Sequence, residues 1–247
     1  MRLLYVLYAI CCVPIVGVVT SALLVPALPF VLLPRGRRER YAFWTNSLSC
    51  YIILRYILFT TLDIRGRENI PFGQPYLVVA NHRSWIDVLT LIWAARAQGI
   101  SKRMVSFIPV LGLLGYLGGA VFFDRRYPDA RRRAKEESLF LLRNGVPLHI
   151  YPEGTRTRDG KLSEKVHFGM LEACWEAGIQ VVPCGLWGTE EVIPVESAQA
   201  RPFRTVKATF RSPLQPSDYP DALSFARAAW QQVRELVADY EQEDAKR

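Results

Sequence analysis

The first 40 residues place the strongest constraint on how this chain can fold. Residues 3–33 contain no charged side chain, and the run ends at a basic cluster, Arg35-Gly-Arg-Arg-Glu-Arg40. About 20 apolar residues suffice for a helix to cross the hydrocarbon core of a bilayer, so this run is long enough to span it. A secretory signal peptide has a shorter apolar region, about 7–15 residues, followed by a small-residue cleavage site. We therefore expect a membrane anchor.

Three prolines bear on the path of this anchor: Pro14, Pro26 and Pro29. Each removes a backbone donor, so the sequence is compatible with a kinked, re-entrant helix as well as with a straight one. The basic cluster that follows should stay on the cytoplasmic side, because positively charged flanks are retained there.

A second apolar segment, residues 41–61, also contains several polar side chains. Its large apolar residues recur at a roughly helical spacing: Trp44, Leu48, Ile52 and Phe59. This pattern favours an interfacial helix lying along the same leaflet over a second crossing. A helix docked on the following domain is the alternative. We assign residues 1–61 to the anchor and residues 62–247 to a second domain.

Beyond the anchor, short apolar runs alternate with helical segments. Strands are predicted at residues 76–80, 121–123, 147–151, 180–186 and 205–210. Helices are predicted at residues 84–97, 129–144, 168–177 and 221–241, with Gly145 and Gly178 as C-terminal stops. Alternation of this kind predicts an α/β domain.

Composition narrows the class of protein. The chain has 247 residues, 50% of them apolar and 22% charged, with a formal net charge of +8. This excludes a polytopic transporter and suits one globular domain with an appendage. The net positive charge suits an anionic partner: nucleic acid, phospholipid head groups, a nucleotide-bearing donor or an acidic carrier protein.

The five cysteines indicate the redox environment of the chain. None of them pairs with a histidine at zinc spacing, so we expect buried free thiols, a reducing environment and no metal.

The first candidate site is Asn81-His-Arg-Ser-Trp-Ile-Asp87, between a buried strand and a helix. Ligands of open α/β sheets gather beyond the carboxyl ends of strands. There, His82 has the chemistry of a general base, and Asp87 could hold the imidazole in one tautomer. The same residues also fit a capping box, in which Asp87 reaches back to Ser84 at the start of the helix. The sequence leaves both interpretations open.

Two further motifs follow strands and carry arginines. Tyr151-Pro-Glu-Gly-Thr-Arg-Thr157 combines a glycine turn with Arg156, whose planar guanidinium matches phosphate. Val121-Phe-Phe-Asp-Arg-Arg126 places Arg125 at a strand end. Taken singly, these motifs fit a solvated loop and a surface ion pair. Together with the histidine–aspartate pair at the same edge of one sheet, they suit a substrate that carries a phosphate and a hydroxyl to be activated.

The ordered motifs Asn-His-x-x-x-x-Asp, Phe-Asp-Arg, Pro-Glu-Gly-Thr-Arg and Val-Val-Pro resemble those of the glycerolipid acyltransferase family. This family includes bacterial 1-acylglycerol-3-phosphate acyltransferases, and the resemblance covers residues 62–215. It implies a single α/β domain with a mixed central sheet flanked by helices, preceded by a membrane-anchoring helical pair. It also implies a location on the cytoplasmic face of a bacterial inner membrane.

The resemblance implies an activity as well. A fatty acyl group would pass from acyl-CoA or acyl carrier protein to the hydroxyl of a lysophospholipid, chiefly 1-acylglycerol-3-phosphate, giving phosphatidic acid. No cofactor is implied beyond the thioester co-substrate. The sequence contains no Gly-x-Ser-x-Gly elbow and no cysteine beside a candidate base, which favours direct transfer over a covalent acyl-enzyme.

The family motifs assign roles residue by residue. His82 would match the catalytic base, and Asp87 its partner. Pro183 would match a motif associated with the acyl donor. Acceptor binding would involve a larger set, with the two arginines on the phosphate: Lys102, Arg125, Glu153, Gly154, Thr155 and Arg156.

Two departures from the family leave the acceptor open. Val166-His-Phe-Gly169 stands where Phe-Lys-x-Gly is common, and Arg211-Ser-Pro213 where Gly-x-Pro is frequent. Another lysolipid, such as lyso-ornithine lipid, is therefore an alternative acceptor. A thioesterase or lysophospholipase is a second alternative, and a membrane-surface lipid-binding protein a third. Nucleic-acid binding is disfavoured because the basic residues are not interleaved with aromatic ones.

The helix predicted at residues 129–144 also carries a group of basic side chains: Arg131, Arg132, Arg133 and Lys135. They form either a solvated face or a contact with anionic lipid or with the anionic part of a donor. Activity that falls with rising salt would favour the second interpretation.

Overall fold

The structure is a computed structural model that describes residues 1–107, 111–124, 126–157 and 160–246. In these ranges, seven strands form one mixed sheet with the spatial order β1-β7-β6-β2-β5-β3-β4. The strands are β1 (Thr61–Arg65), β2 (Tyr76–Ala80), β3 (Gln98–Lys102), β4 (Val121–Phe123), β5 (Leu148–Ile150), β6 (Gln180–Trp187) and β7 (Thr205–Phe210). Only β6 and β7 pair antiparallel. The carboxyl ends of β6, β2, β5, β3 and β4 therefore share one edge of the sheet.

Helices cover both faces of this sheet, which is why its central strands are continuous apolar runs. Every residue of β2 is buried. The α-helices of the domain are α3 (Ile86–Ala94), α4 (Leu111–Gly118), α5 (Pro128–Arg143), α6 (Gly169–Glu176), α7 (Thr189–Val192) and α8 (Ala222–Ala245). Leu77 and Val79 face a core shared with α5, α6 and α8, whereas Val78 and Ala80 face a core shared with α3.

Two helices precede the sheet. The first, α1 (Arg2–Leu24), continues as a 3-10 helix over Val25–Leu32. This stretch is the one helix among the described residues that is long and apolar enough to cross a membrane. Pro14 stays inside α1, whereas Pro26 and Pro29 lie where the helix tightens to the 3-10 form.

The second helix, α2 (Arg37–Ile52), ends in a π-helical turn at Ile53–Ile57. It combines features of both predicted alternatives. One face is buried against α1, α3 and α4, as expected of a docked helix. The other face leaves Trp44 and Leu48 exposed, as expected of an interfacial helix.

The mixed sheet confirms the predicted fold class, but several predicted elements differ in extent. Residues 84–97 give the shorter α3, because 81–85 form a loop and Arg96 has a positive φ of 48°. Strand 147–151 shortens to β5, and strand 180–186 extends by one residue to β6. Four elements were not predicted from the sequence: β1, β3, α4 and α7. Cys11 is exposed, so the expectation of buried thiols was wrong there, whereas the other four cysteines are buried.

Candidate active site

The loop after β2 is fixed to the neighbouring strand β6 and to the segment after α7 by side-chain hydrogen bonds. The Asn81 amide donates to the carbonyl oxygen of Leu186 at 2.9 Å and accepts from its N–H at 2.7 Å. The Ser84 hydroxyl donates to the carbonyl oxygen of Ile193 at 2.7 Å. These contacts join the end of β2 to the end of β6 and to the segment after α7.

Arg83 anchors the same loop and points away from the cleft. Its side chain is buried, and Nε donates to Oε1 of Glu190 at 2.8 Å. The guanidinium lies 4.1 Å from the centre of the Trp187 ring. Burial raises the pKa of Glu190, although Arg83 opposes that rise. The residue beside His82 is thus held by charge and by stacking.

His82 and Asp87 form the predicted pair. Nδ1 of His82 lies 2.8 Å from Oδ2 of Asp87, whose side chain is fully buried. The same oxygen accepts the backbone N–H groups of Arg83 at 2.5 Å and Ser84 at 2.7 Å. One carboxylate oxygen therefore contacts both the imidazole and the turn. The contacts expected from both interpretations of Asp87 are present, and its catalytic role stays a prediction. Because a carboxylate only accepts, Nδ1 carries the proton and Nε2 remains the basic nitrogen.

Tyr151 stacks on the imidazole. The ring centroids of Tyr151 and His82 are 4.0 Å apart, with 8° between the planes. Behind it, the ring of His149 lies 5.2 Å from that of Tyr151. Burial raises the pKa of the Tyr151 phenol well above its usual value and lowers the pKa of His149 to about 4. Both groups are therefore neutral at pH 7, so the imidazole of His82 is backed by uncharged rings.

Glu153 and Thr157 hold the backbone of His82. Oε2 of Glu153 accepts the N–H of His82 at 2.6 Å, and Oε1 accepts the N–H of Ser163 at 2.9 Å. The N–H of Thr157 donates to the carbonyl oxygen of His82 at 2.9 Å. Burial raises the pKa of Glu153, although these backbone donors oppose the rise. With both oxygens engaged, the observed contacts of Glu153 position His82, and its predicted role in acceptor binding stays a prediction.

A cleft of about 480 Å³ opens above the pair, at the carboxyl ends of β2, β3, β4 and β5. Its described lining contains basic side chains but no carboxylate. The basic residues are Lys102, Arg131, Lys135 and Arg156. The apolar part of the wall consists of Val88, Ile100, Val105, Phe123, Ile150 and Met170. This combination can hold an anionic group and a hydrocarbon chain next to an imidazole.

Arg156, to which the family motif assigns the acceptor phosphate, lines the cleft. Its guanidinium carbon is 4.9 Å from the centre of the Trp85 ring, and both side chains line the cleft. Gly154 and Thr155 line it as well, and Gly154 has a φ of 69°, which glycine adopts without strain. Lys102 is exposed at the end of β3, also in the cleft wall.

Two predicted residues stand apart from this cleft. Pro183 is buried within β6 opposite Val79, and it is not among the lining residues. Arg125 lies outside the described residues. Its neighbour Asp124 forms an ion pair with Arg126 at 2.6 Å.

The basic face of α5 divides into two parts. Arg131 and Lys135 line the cleft, whereas Arg132 lies 3.7 Å from both Asp129 and Glu136 in exposed ion pairs. Three other cleft residues received no role from the sequence: Trp85, Tyr151 and His167. All three lie within or beside the sequence motifs, and this position is the signal that could have identified them as cleft residues.

Comparison with known proteins defines the class. A model of the acyltransferase family matches residues 61–187, about half of the chain. The chain belongs to this family. The match covers β1 to β6 and therefore includes every described residue of the site.

Individual relatives carry more specific names. The chloroplastic 1-acyl-sn-glycerol-3-phosphate acyltransferase of Brassica napus is 30% identical over 80% of this chain and 57% of its own length. A 1-acyl-sn-glycerol-3-phosphate acyltransferase of Chlamydomonas reinhardtii is 33% identical over 67% of this chain and 50% of its own length. The chain thus spans only about half the length of these two relatives. The crystal structure of the 1-acyl-sn-glycerophosphate acyltransferase of Thermotoga maritima superposes with a TM-score of 0.81, at 25% identity, over 97% of this chain and 96% of that one.

Proposed function

We propose that this chain is an O-acyltransferase that moves a fatty acyl group from a thioester to the free hydroxyl of a lysophospholipid. The acceptor we favour is 1-acylglycerol-3-phosphate, and the donor is acyl-CoA or acyl carrier protein. The observation that carries this proposal is the position of His82 in a basic cleft with apolar walls, its Nδ1 held by Asp87 at 2.8 Å. The names of the relatives support the same acceptor.

In the proposed reaction, Nε2 of His82 takes the proton of the acceptor hydroxyl as that oxygen attacks the thioester carbonyl carbon. The carbon–sulfur bond then breaks, and the leaving thiolate recovers the proton from the imidazolium. The products are an ester and a free thiol, with no covalent acyl-enzyme. Asp87 stabilises the imidazolium, and a general base of this kind contributes about 10²–10⁴ in rate.

Positioning supplies a further part of the rate enhancement. Arg156, Arg125 and Lys102 would hold the acceptor phosphate and so fix the distance between its hydroxyl and the imidazole. Placement of this kind contributes about 7–11 kcal/mol in favourable systems, more than the base alone. The stacking of Arg156 on Trp85 supports this assignment, because it orients the guanidinium within the cleft.

Membrane attachment belongs to the same proposal. The apolar helix Arg2–Leu32 supports an anchor in the bilayer from which the lysolipid comes. The basic residues after it support a catalytic domain on the cytoplasmic face, where the acyl thioesters are found.

The test is an assay of the purified protein in detergent with a panel of lysolipids. Lysophosphatidate, lysophosphatidylcholine and lyso-ornithine lipid are each supplied with acyl-CoA and with acyl carrier protein. Thiol release is followed together with the lipid product by mass spectrometry. We expect thiol release to require a lysolipid, to be fastest with lysophosphatidate and to be lost in His82→Ala.

Two outcomes would contradict the proposal. Equal thiol release with and without lysolipid would identify a hydrolase that uses water. A His82→Ala variant that folds and keeps full activity would remove the imidazole from the chemistry, as expected of a lipid-binding protein.

Two basic side chains on the cleft side of α5, Arg131 and Lys135, support a second contact with an anionic group of the donor or the acceptor. Changing Arg131 and Lys135 to Gln together should raise the KM of one substrate and weaken the dependence of KM on salt. The matched control changes Arg132 and Arg133 on the same helix, which do not line the cleft. A control pair that raises KM equally would show that the effect is one of net charge.

A further inference from the structure

A second cleft, of about 510 Å³, opens at the opposite edge of the sheet. It lies at the amino ends of β2 and β5, beside Tyr76 and Pro147, whereas the candidate active site lies at their carboxyl ends. The other walls come from α2, from the end of α3 and from the loop before β2. Aromatic rings dominate these walls: Phe43, Trp44, Tyr51, Phe72, Tyr76 and Trp93.

Three arginines line this cleft: Arg40, Arg67 and Arg96. The guanidinium carbons of Arg67 and Arg96 lie 5.9 Å and 5.2 Å from the centre of the Phe72 ring. Nε of Arg67 donates to the carbonyl oxygen of Ala94 at 3.0 Å, which leaves its two terminal nitrogens available. Within the described parts of the chain, none of the three arginines forms an ion pair with a carboxylate.

The charge of this cleft is therefore uncompensated. Its described lining contains one carboxylate, Glu39, which is buried and already accepts from the N–H of Gly36 and from Arg38, both at 2.5 Å. Arg96 also has a φ of 48° just after α3, a backbone conformation that glycine adopts more readily. Arg96 is therefore a cation in a strained backbone conformation, in a cleft that two other arginines also line. A bound anion would stabilise this arrangement.

We propose that this second cleft binds the phosphate of an anionic phospholipid head group. Guanidinium groups match phosphate in geometry as well as charge. A lipid is favoured over a free phosphate because α2, which forms one wall, packs on the apolar helix α1. On that wall Trp44 and Leu48 are 49% and 38% exposed, as suits residues at the bilayer surface. The site goes beyond the proposed acyl transfer, because the sheet separates it from His82. Only the choice of a lipid rests on the membrane attachment proposed above.

The experiment uses the full chain in neutral detergent, with fluorotryptophan in place of all six tryptophans. Fluorine resonances are assigned by single Trp→Phe changes. Trp44 and Trp93 then report on the second cleft, and Trp85 reports on the active-site cleft. Dihexanoyl phosphatidate, dihexanoyl phosphatidylcholine and inorganic phosphate are titrated in turn.

We expect phosphatidate to shift the Trp44 and Trp93 resonances saturably, and phosphatidylcholine to leave them in place. The double variant Arg40→Gln/Arg96→Gln should weaken this response about tenfold or more, because bonds to charged groups are the strong ones. The Trp85 resonance of this variant should coincide with that of the wild type, and this agreement would also show that the domain is folded. The matched control, Arg227→Gln/Arg234→Gln, removes two exposed arginines from α8 and should bind as the wild type does.

Three results would overturn the proposal: no shift of Trp93, an equal shift with phosphatidylcholine, or an unchanged affinity in the Arg40/Arg96 variant. If inorganic phosphate shifts the Trp44 and Trp93 resonances at the same concentrations, the ligand is free phosphate and the assignment to a lipid head group is wrong. Because acyl transfer is not measured, failure of the proposed activity would not affect any of these readings.

Discussion

The imidazole of His82 lies flat against the ring of Tyr151, with 4.0 Å between the centroids. The bond to Asp87 holds one nitrogen of the imidazole, but a single hydrogen bond still allows the ring to tilt. Contact over a whole face opposes that tilt. Tyr151 is therefore a positioning residue for the proposed base.

Replacing Tyr151 with Phe or Leu tests this contact. The phenol oxygen has no hydrogen-bond partner among the described residues, so Tyr151→Phe should keep nearly the wild-type kcat. Tyr151→Leu removes the flat surface and should lower kcat about two- to tenfold, since aromatic pairs contribute about 0.5–1.5 kcal/mol. Steady-state kinetics with both variants would measure this. Equal rates for Phe and Leu would show that stacking is unimportant.

Asp87 should link activity to stability. Asp87→Ala leaves the N–H groups of Arg83 and Ser84 without their acceptor, so the free energy of unfolding should fall by about 1–3 kcal/mol. Its kcat should also fall, by about 10²–10⁴. His82→Ala should lose the activity but little of the stability. Kinetics and denaturant unfolding of both variants check this, and an Asp87→Ala protein as active as the wild type would refute it.

Glu153→Ala separates positioning from acceptor binding. If this carboxylate holds the backbone of His82, its loss should lower both kcat and the unfolding temperature, while KM for the lysolipid stays near the wild-type value. Glu164→Gln is the matched control, an exposed glutamate in the same loop. A raised KM with unchanged kcat would instead support the predicted contact with the acceptor.

The stacking of Arg156 on Trp85 should affect binding of the acceptor. An exposed cation–π contact contributes about 0.5–1 kcal/mol, so Trp85→Leu should raise KM for lysophosphatidate about two- to fivefold. Trp85→Phe keeps an aromatic face and should lie between Leu and the wild type. KM values for the three proteins test this order, and a Phe variant as impaired as the Leu variant would count against a stacking role.

His149 should make the fold sensitive to acid. Its pKa falls from 6.5 to about 4 on burial, so below pH 6.5 the unfolded chain binds a proton that the folded chain does not. This contribution to stability is present above pH 6.5 and is lost as the pH falls towards 4. The loss should reach about 2–3 kcal/mol by pH 4.5.

Denaturant unfolding between pH 4.5 and 7.5 measures this loss. His149→Gln should flatten the pH dependence, and His167→Gln, an exposed control, should preserve it. An unchanged slope in His149→Gln would show that another group is responsible.

The sequence predicted those helices and strands whose buried residues form a recognisable apolar pattern along the chain. The apolar run of β2 is such a local signal. The helix predicted from residue 221 begins there as well, and the structure adds that the Asp221 carboxylate caps it by accepting the N–H of Ser224 at 2.7 Å. By contrast, α4 contains Gly112, Gly115 and Gly118, which lower helix propensity, and only packing against α2 reveals it. The polar strand β3 forms because β4 and β5 pair with it.

The contacts of the candidate site also differ in how far the sequence could predict them. The motif spacing predicted that His82 and Asp87 would meet, because both lie at one strand–helix junction. The hydrogen bond from His82 to Glu153 joins residues 71 positions apart. Its geometry depends on the pairing of β2 with β5, which no local pattern encodes. Sequence reasoning therefore placed Glu153 near the site, but it did not find the backbone contacts that the carboxylate makes.

The shared oxygen of Asp87 has a consequence for the newly made chain. The imidazole gains its partner only when the turn at residues 82–84 has closed, since the same atom serves both. A nascent or partly folded molecule therefore lacks the oriented imidazole, and the proposed base forms only together with the closed turn.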